Sequence, residues 1–250
     1  MTLTIAAREL RALFLSPLAW GILAVTQVIL GYLFLAGVDR FQRLQPRLGA
    51  IEGGPGVTEI VVVPLLANAT TLLLLITPLV TMRLISAERA EGTLPLLLSA
   101  PVSMTRIVLG KYLGALGFLG VALIMLLLMP LSLYAGTTLD AGQLAAAVLG
   151  LALLTASFAA AGLFMSSLTR QPVVAAVSTF GLLLLLWILD WTGNVSGGIQ
   201  EVIHYLSLTE HYKDLRQGVV STADVVYYLL FITVFLVLSI RRLDVDRLHG

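Results

Sequence analysis

Along this chain apolar residues come in long blocks rather than alternating with polar ones. Runs at about 18–36, 60–82, 105–130, 142–168, 173–190 and 223–240 are each long enough to cross the roughly 30 Å hydrocarbon core of a bilayer as a helix. The stretch 2–16 differs: Leu3, Ala6, Leu10, Leu13 and Phe14 recur at helical spacing beside Arg8, Glu9 and Arg11. That pattern predicts an amphipathic helix lying in the headgroup plane, with Pro17 breaking it from the first span. Residues 37–60, with a Gly-Gly-Pro-Gly turn at 53–56, and residues 191–222 read as long loops. The expected fold is all-α and integral to the membrane: six spans in a single domain over 1–250.

Finer features shape individual spans. Pro64, Asn68, Thr70, Thr71, Thr77 and Pro78 make the second span kinked and locally polar. Ala, Gly and Ser enrich the fourth, which suits close helix contact inside a bundle.

Composition agrees. The 250 residues are 58% hydrophobic and 12% charged, about half the charged fraction of an ordinary soluble domain. The first run is too long for a signal core and lacks a small-residue cleavage site, so it reads as a retained span. Without cysteine the chain has no disulfide framework, thiolate metal site or catalytic thiol. A net charge of +1 with no basic run gives no indication of nucleic acid as a partner. With the N-terminus inside, ten of the fifteen Lys and Arg fall on the cytoplasmic side, and six spans return the C-terminus there.

One stretch stands out against this background: Ser86–Pro101, SAERAEGTLPLLLSAP, between the second and third spans. Glu88, Arg89 and Glu91 place charge on one side of a turn. Gly92 and Thr93 are suited to end it, with Thr93 as N-cap and Pro95 in the first turn of a helix over Leu94–Leu98. Spacing alone leaves two readings open, a partner-docking helix and an ordinary polar cytoplasmic loop.

The run Glu88-Arg89-Ala90-Glu91-Gly92-Thr93-Leu94, then Leu96-Leu97-Leu98, Pro101-Val102-Ser103 and Gly110-Lys111, resembles the signature of ABC-2 type exporter permeases. Leu206-Ser207-Leu208, His211-Tyr212, Arg216-Gln217-Gly218-Val219-Val220 and Asp224-Val225-Val226-Tyr227-Tyr228 are similar to the gliding-motility branch, close to permeases of copper-enzyme maturation operons. The resemblance implies a half-transporter of the bacterial inner membrane. Two permease chains pair, as a homodimer or heterodimer, and each receives a cytoplasmic ATP-binding subunit. It makes the segment around Glu88–Ser99 the coupling helix, with Glu88, Arg89, Glu91, Gly92 and Thr93 as the ATPase-coupling residues. Many relatives carry an acidic residue where this chain has Pro95, which implies one charged contact fewer.

The chain has no G-x-x-x-x-G-K-[ST] motif: Gly110-Lys111 is preceded by Thr105 at the first Gly position and followed by Tyr112. Energy must therefore come from another polypeptide. No catalytic residues, metal or cofactor are expected. A serine protease needs a His in facing spans, and His204, His211 and His249 all lie outside them. H-E-x-x-H is absent, and the Asp244-Val245-Asp246 pair sits in a charged tail with no domain around it. His204 and His211 have no further fixed ligand and read as surface residues.

No ionisable side chain lies deep in a span, since Lys111 and Asp190 sit near span ends with water in reach. That argues against a proton-coupled carrier. Gln27, Asn68, Thr71, Ser178 and Thr179 are candidates for lining a path. Taken singly, each fits hydrogen bonding between helices better, at about 0.6 kcal/mol per contact. The competing function is mechanotransmission: ATP-driven rocking passed to a periplasmic partner at 37–60 or 191–222, with nothing transported. The sequence names no substrate.

Overall fold

Long apolar runs that must satisfy their own backbone in lipid fold as helices, and every regular element the structure describes is one. The computed structural model describes residues 1–48, 56–93, 102–188 and 207–249. Helix α1 spans Thr2–Leu15 and α2 spans Pro17–Leu48. A π turn at Thr58–Val62 leads into α3, Val63–Thr81, and then the short α4, Ser86–Ala90. There follow α5 (Met104–Ser132), α6 (Ala141–Leu168), α7 (Pro172–Ile188), α8 (Leu208–Arg216) and α9 (Thr222–His249).

Among the described residues five helical stretches are long and apolar enough to cross a membrane: Pro17–Pro46, Thr58–Ala90, Met104–Ala135, Ala141–Leu168 and Thr222–Arg247. The chain is thus a multi-pass membrane protein. Helix α7, the fifth run of the sequence, is apolar but only 17 residues long; its expected last residues, 189–190, lie outside the described residues.

Two expected boundaries move, for reasons of charge. Helix α2 does not stop near residue 36. It continues through the charged stretch to Leu48, with Arg43 Nε 2.9 Å from Asp39 one turn away. Its 32 residues extend to roughly 48 Å, longer than a hydrocarbon core is thick. Helix α9 likewise runs on through the tail from Arg241, where Asp246 meets Arg89 and stands 3.7 Å from Arg242. The π turn ahead of α3 sits where Pro64, at the helix start, lacks an N–H for the carbonyl four residues back.

Helix α6 is the hub. Its small residues, among them Ala147, Gly150, Ala159, Ala160 and Ala161, are buried and let α3, α5, α7, α8 and α9 pack against it. Asp140 caps its start, Oδ1 accepting from the Gln143 N–H at 3.0 Å. Two apolar clusters fill the bundle. One gathers Ile85, Ile107, Val108, Phe118 and Leu163 beneath α1 and α4. The other gathers Leu66, Leu154, Tyr212 and Tyr228 towards α8. Helices α3 and α7 run between these ends in opposite directions, so α4 and α8 lie at opposite ends of the bundle.

Candidate functional site

The α4 turn is fixed first by backbone geometry. Gly92 has φ +70°, a left-handed conformation that disfavours any side chain. Around it Thr93 N–H donates to Glu88 O at 3.0 Å and Gly92 N–H to Arg89 O at 3.4 Å, the paired bonds of a Schellman cap. Upstream, the N–H groups of Ile85 and Ser86 both donate to Ser166 Oγ at 3.1 Å, and that hydroxyl donates to Met82 O at 2.9 Å. One α6 side chain therefore holds the backbone where α3 passes into α4.

Charge fixes the turn a second time. Lys111 on α5 is 2% exposed, and its Nζ donates to Glu9 Oε1 at 2.9 Å and Glu88 Oε1 at 2.8 Å. Arg8, itself mostly exposed, approaches both carboxylates at 3.5 and 3.4 Å. Arg89 pairs with Asp246 of α9. Helix α4 is thereby tied to α1, α5, α6 and α9. Close packing makes this reach possible: a Cβ on Gly110 would lie 2.7 Å from Ile5 Cβ, and one on Gly114 would lie 2.6 Å from Glu9 Cβ. The glycines let α1 lie against α5, as small residues do in membrane helix pairs. Ile5, Leu10, Leu13 and Phe14 pack inward as α1's apolar face, whereas Leu3, expected on that face, is exposed.

The five predicted coupling residues thus divide. Glu88 and Arg89 point into intrachain ion pairs, while Glu91, Gly92 and Thr93 are exposed. Thr93 Oγ1 donates to Glu88 O at 3.3 Å; the helix it was expected to cap, Leu94–Leu98 with Pro95, lies outside the described residues. Lys111 corrects the sequence reading: it does not reach water but is buried between two acids from distant parts of the chain.

The path candidates divide as well. Gln27 Nε2 donates to Ala122 O at 3.1 Å, joining α2 to α5. Ser178 donates to Val174 O and Thr179 to Ala175 O, each at 2.7 Å on their own helix. Asn68 and Thr71 are exposed, on a face of α3 they share with Pro64, Leu75 and Leu79.

At the opposite end His211, expected at the surface, is tucked in. Its Nδ1 lies 2.7 Å from Asp224 Oδ1 and its ring stacks on Tyr227 with centroids 4.0 Å apart. The Tyr228 hydroxyl donates to Leu208 O at 2.6 Å, and Tyr212 and Leu215 close over Gly150 of α6. Helix α8 is therefore docked on the bundle. His204 and the rest of 199–206 lie outside the described residues.

The chain is a bundle of apolar helices with charged groups gathered at its two ends, and at one of them a short capped turn is braced from four sides. Residues 3–247 match the family described as ABC-2 family transporter protein. No curated protein matches the chain. With all but the first two and last three residues inside the match, the chain belongs to the ABC-2 family, membrane permease subunits of ATP-binding-cassette transporters that carry no ATPase domain of their own.

Proposed function

We propose that the chain is the permease half of an ATP-driven exporter of the bacterial inner membrane, in the gliding-motility and copper-enzyme-maturation branch its sequence resembles. Two copies pair, two cytoplasmic ATPase subunits dock on them, and closure of the ATPases rocks the permease halves to open a path outward. Six spans cross the membrane, α7 being the fifth, with both termini in the cytoplasm and α1 in the headgroup plane. The α4 segment is the coupling element. Glu91, Gly92 and Thr93 meet the ATPase; Glu88 and Arg89 carry the push inward.

The observation behind this reading is the bracing of α4. A lever must be accessible at its tip and rigid at its root. The exposed Glu91–Thr93 cap and the buried Glu88–Lys111–Glu9 link provide both. Asn68 and Thr71 support a path along the exposed face of α3, because polar side chains facing lipid lose their hydrogen-bonding partners.

Charge reversal at Glu91 tests the coupling. E91R is expected to lower ATPase co-purification about tenfold, the equivalent of about 1.4 kcal/mol, with the thermal stability of the permease unchanged. A complex that survives E91R and T93A together at full strength removes the α4 tip from the interface. Reversal at Glu88 is not an equivalent test, since a cation there would face Lys111.

The docked α8 and its His211–Asp224 contact favour a second reading, force transmission to a periplasmic partner, because they form a built platform at the far end. ATP-dependent release of a bound periplasmic protein, with no substrate accumulating in inverted vesicles, identifies that function.

A further inference from the structure

At the α8 end a recess of about 190 Å³ opens between α3, α7 and α8. Thr70, Thr71, Trp187, Tyr212, Lys213 and Arg216 line it, and among the described residues no carboxylate does. Lys213 is already balanced by Glu210 at 2.5 Å. Arg216 pairs with no acidic side chain among the described residues, and its Nε is buried without a hydrogen-bond partner. The Tyr212 hydroxyl on the same wall is also buried, and although it lies near Thr70 and Arg216 it makes no hydrogen bond of standard geometry. Burial pushes the Tyr212 phenol up, so it keeps its proton and remains a donor at ordinary pH.

Two unsatisfied donors beside one small space, one of them on a guanidinium, call for an acceptor. Water answers the donors but leaves the charge of Arg216 unneutralised. An oxyanion answers both, since guanidinium binds carboxylate and phosphate through paired N–H bonds. Donors contributed by helices on different sides of the recess suit a tetrahedral anion, whose oxygens point to several walls, better than a planar carboxylate. The volume is below that of pockets enclosing whole drug-sized ligands, roughly 300–1,000 Å³, and matches one anionic group on a larger or smaller molecule.

We propose that this recess binds a phosphate group, with Arg216 supplying the charge and the Tyr212 and Thr71 hydroxyls the further donors. The site lies at the opposite end of the bundle from α4 and rests on no part of the coupling assignment.

Calorimetric titration of the full chain, purified in neutral detergent without its ATPase, tests it. Inorganic phosphate and dihexanoyl phosphatidic acid are the two phosphate probes, and dihexanoylglycerol is the neutral control. At least one phosphate probe is expected to bind saturably while the neutral control does not. Binding of phosphatidic acid alone assigns the site to a lipid headgroup; equal binding of both probes assigns it to free phosphate. R216Q is expected to weaken binding about tenfold or more and Y212F by about fivefold, the range for lost charged and neutral hydrogen bonds. Should R216Q fail to fold, Y212F and T71V carry the test. The proposal is overturned if neither phosphate probe binds, if dihexanoylglycerol binds as well as phosphatidic acid, or if the folded variants bind like the wild type.

Discussion

The two ends of this bundle differ in how they pair their inward-facing cations. At the α4 end the ion pairs join different helices: Lys111 has Glu9 and Glu88, and Arg89 has Asp246, although Glu88 Oε2, Arg89 Nε and Arg242 Nε are each buried without a hydrogen-bond partner. At the α8 end His211 and Asp224 form one such contact, yet Arg216 has no acidic partner among the described residues, and its Nε and the Tyr212 hydroxyl are buried without a hydrogen bond. Ion pairs that draw on four elements brace a structure from within. Donors left open wait for something to arrive. The contrast is the one that the proposed coupling role of α4 and the proposed phosphate recess at α8 require.

The sharpest way to break the contrast is to remove its central cation. K111M leaves Glu9 and Glu88 facing each other across a buried space, and losing one partner of a buried pair destabilises by about 3–5 kcal/mol. Unfolding followed by circular dichroism during SDS titration in mixed micelles measures it. Adding E9Q and E88Q to K111M should recover much of the loss, because no uncompensated buried charge then remains and Arg8, left without its acids, is mostly exposed to water. If K111M unfolds like the wild type, the cluster braces nothing.

A smaller loss is expected at the other end. H211A removes the donor facing Asp224 Oδ1, and Asp224 Oδ2 already has no partner. Hydrogen bonds to charged groups contribute about 1.5–3 kcal/mol, and the same titration reads the change. A loss equal to that of K111M would make the ends equivalent.

Next comes the packing that lets α1 deliver Glu9. G114A places a Cβ 2.6 Å from Glu9 Cβ and 3.1 Å from Ala6 O, so α1 must shift, at about 1–3 kcal/mol. Gly120 lies on the same helix with open space around it. G120A should therefore stabilise by about 0.4–1 kcal/mol, through helix propensity and a less flexible unfolded chain. Opposite signs at the two glycines, read as midpoint shifts, separate close approach from propensity.

How legible was this in the sequence? The third and fourth spans were legible to within two residues, because lipid leaves an apolar run little choice but a helix. The ends of α2 and α9 were not, since charge signals where a bilayer stops and not where a helix stops. The Lys111 cluster was hidden because its members lie at positions 9, 88 and 111, and no spacing rule joins them. The one available signal was the small-residue spacing of Gly110, Gly114 and Gly117, which marks a face for a close neighbour without naming it. The turn at Gly92 was legible because a left-handed cap asks for glycine. His211 was misread as a surface residue because its partner Asp224 belongs to the next helix.

The smallest effect tests whether burial, and not charge pairing as such, separates the ends. Asp39 and Arg43 form an ion pair at 2.9 Å, as short as Lys111–Glu9, but on the part of α2 where both side chains are more than half exposed. Water screens such a pair and must be displaced by neither partner, so D39A should change stability by only about 0.3–0.5 kcal/mol. Salt should erase even that, since the Debye length falls to about 3 Å at 1 M, whereas the K111M deficit should persist because its charges are shielded from the ions. If D39A proved as damaging as K111M, distance alone would set the value of a pair in this protein, and the bracing of α4 would lose its physical basis.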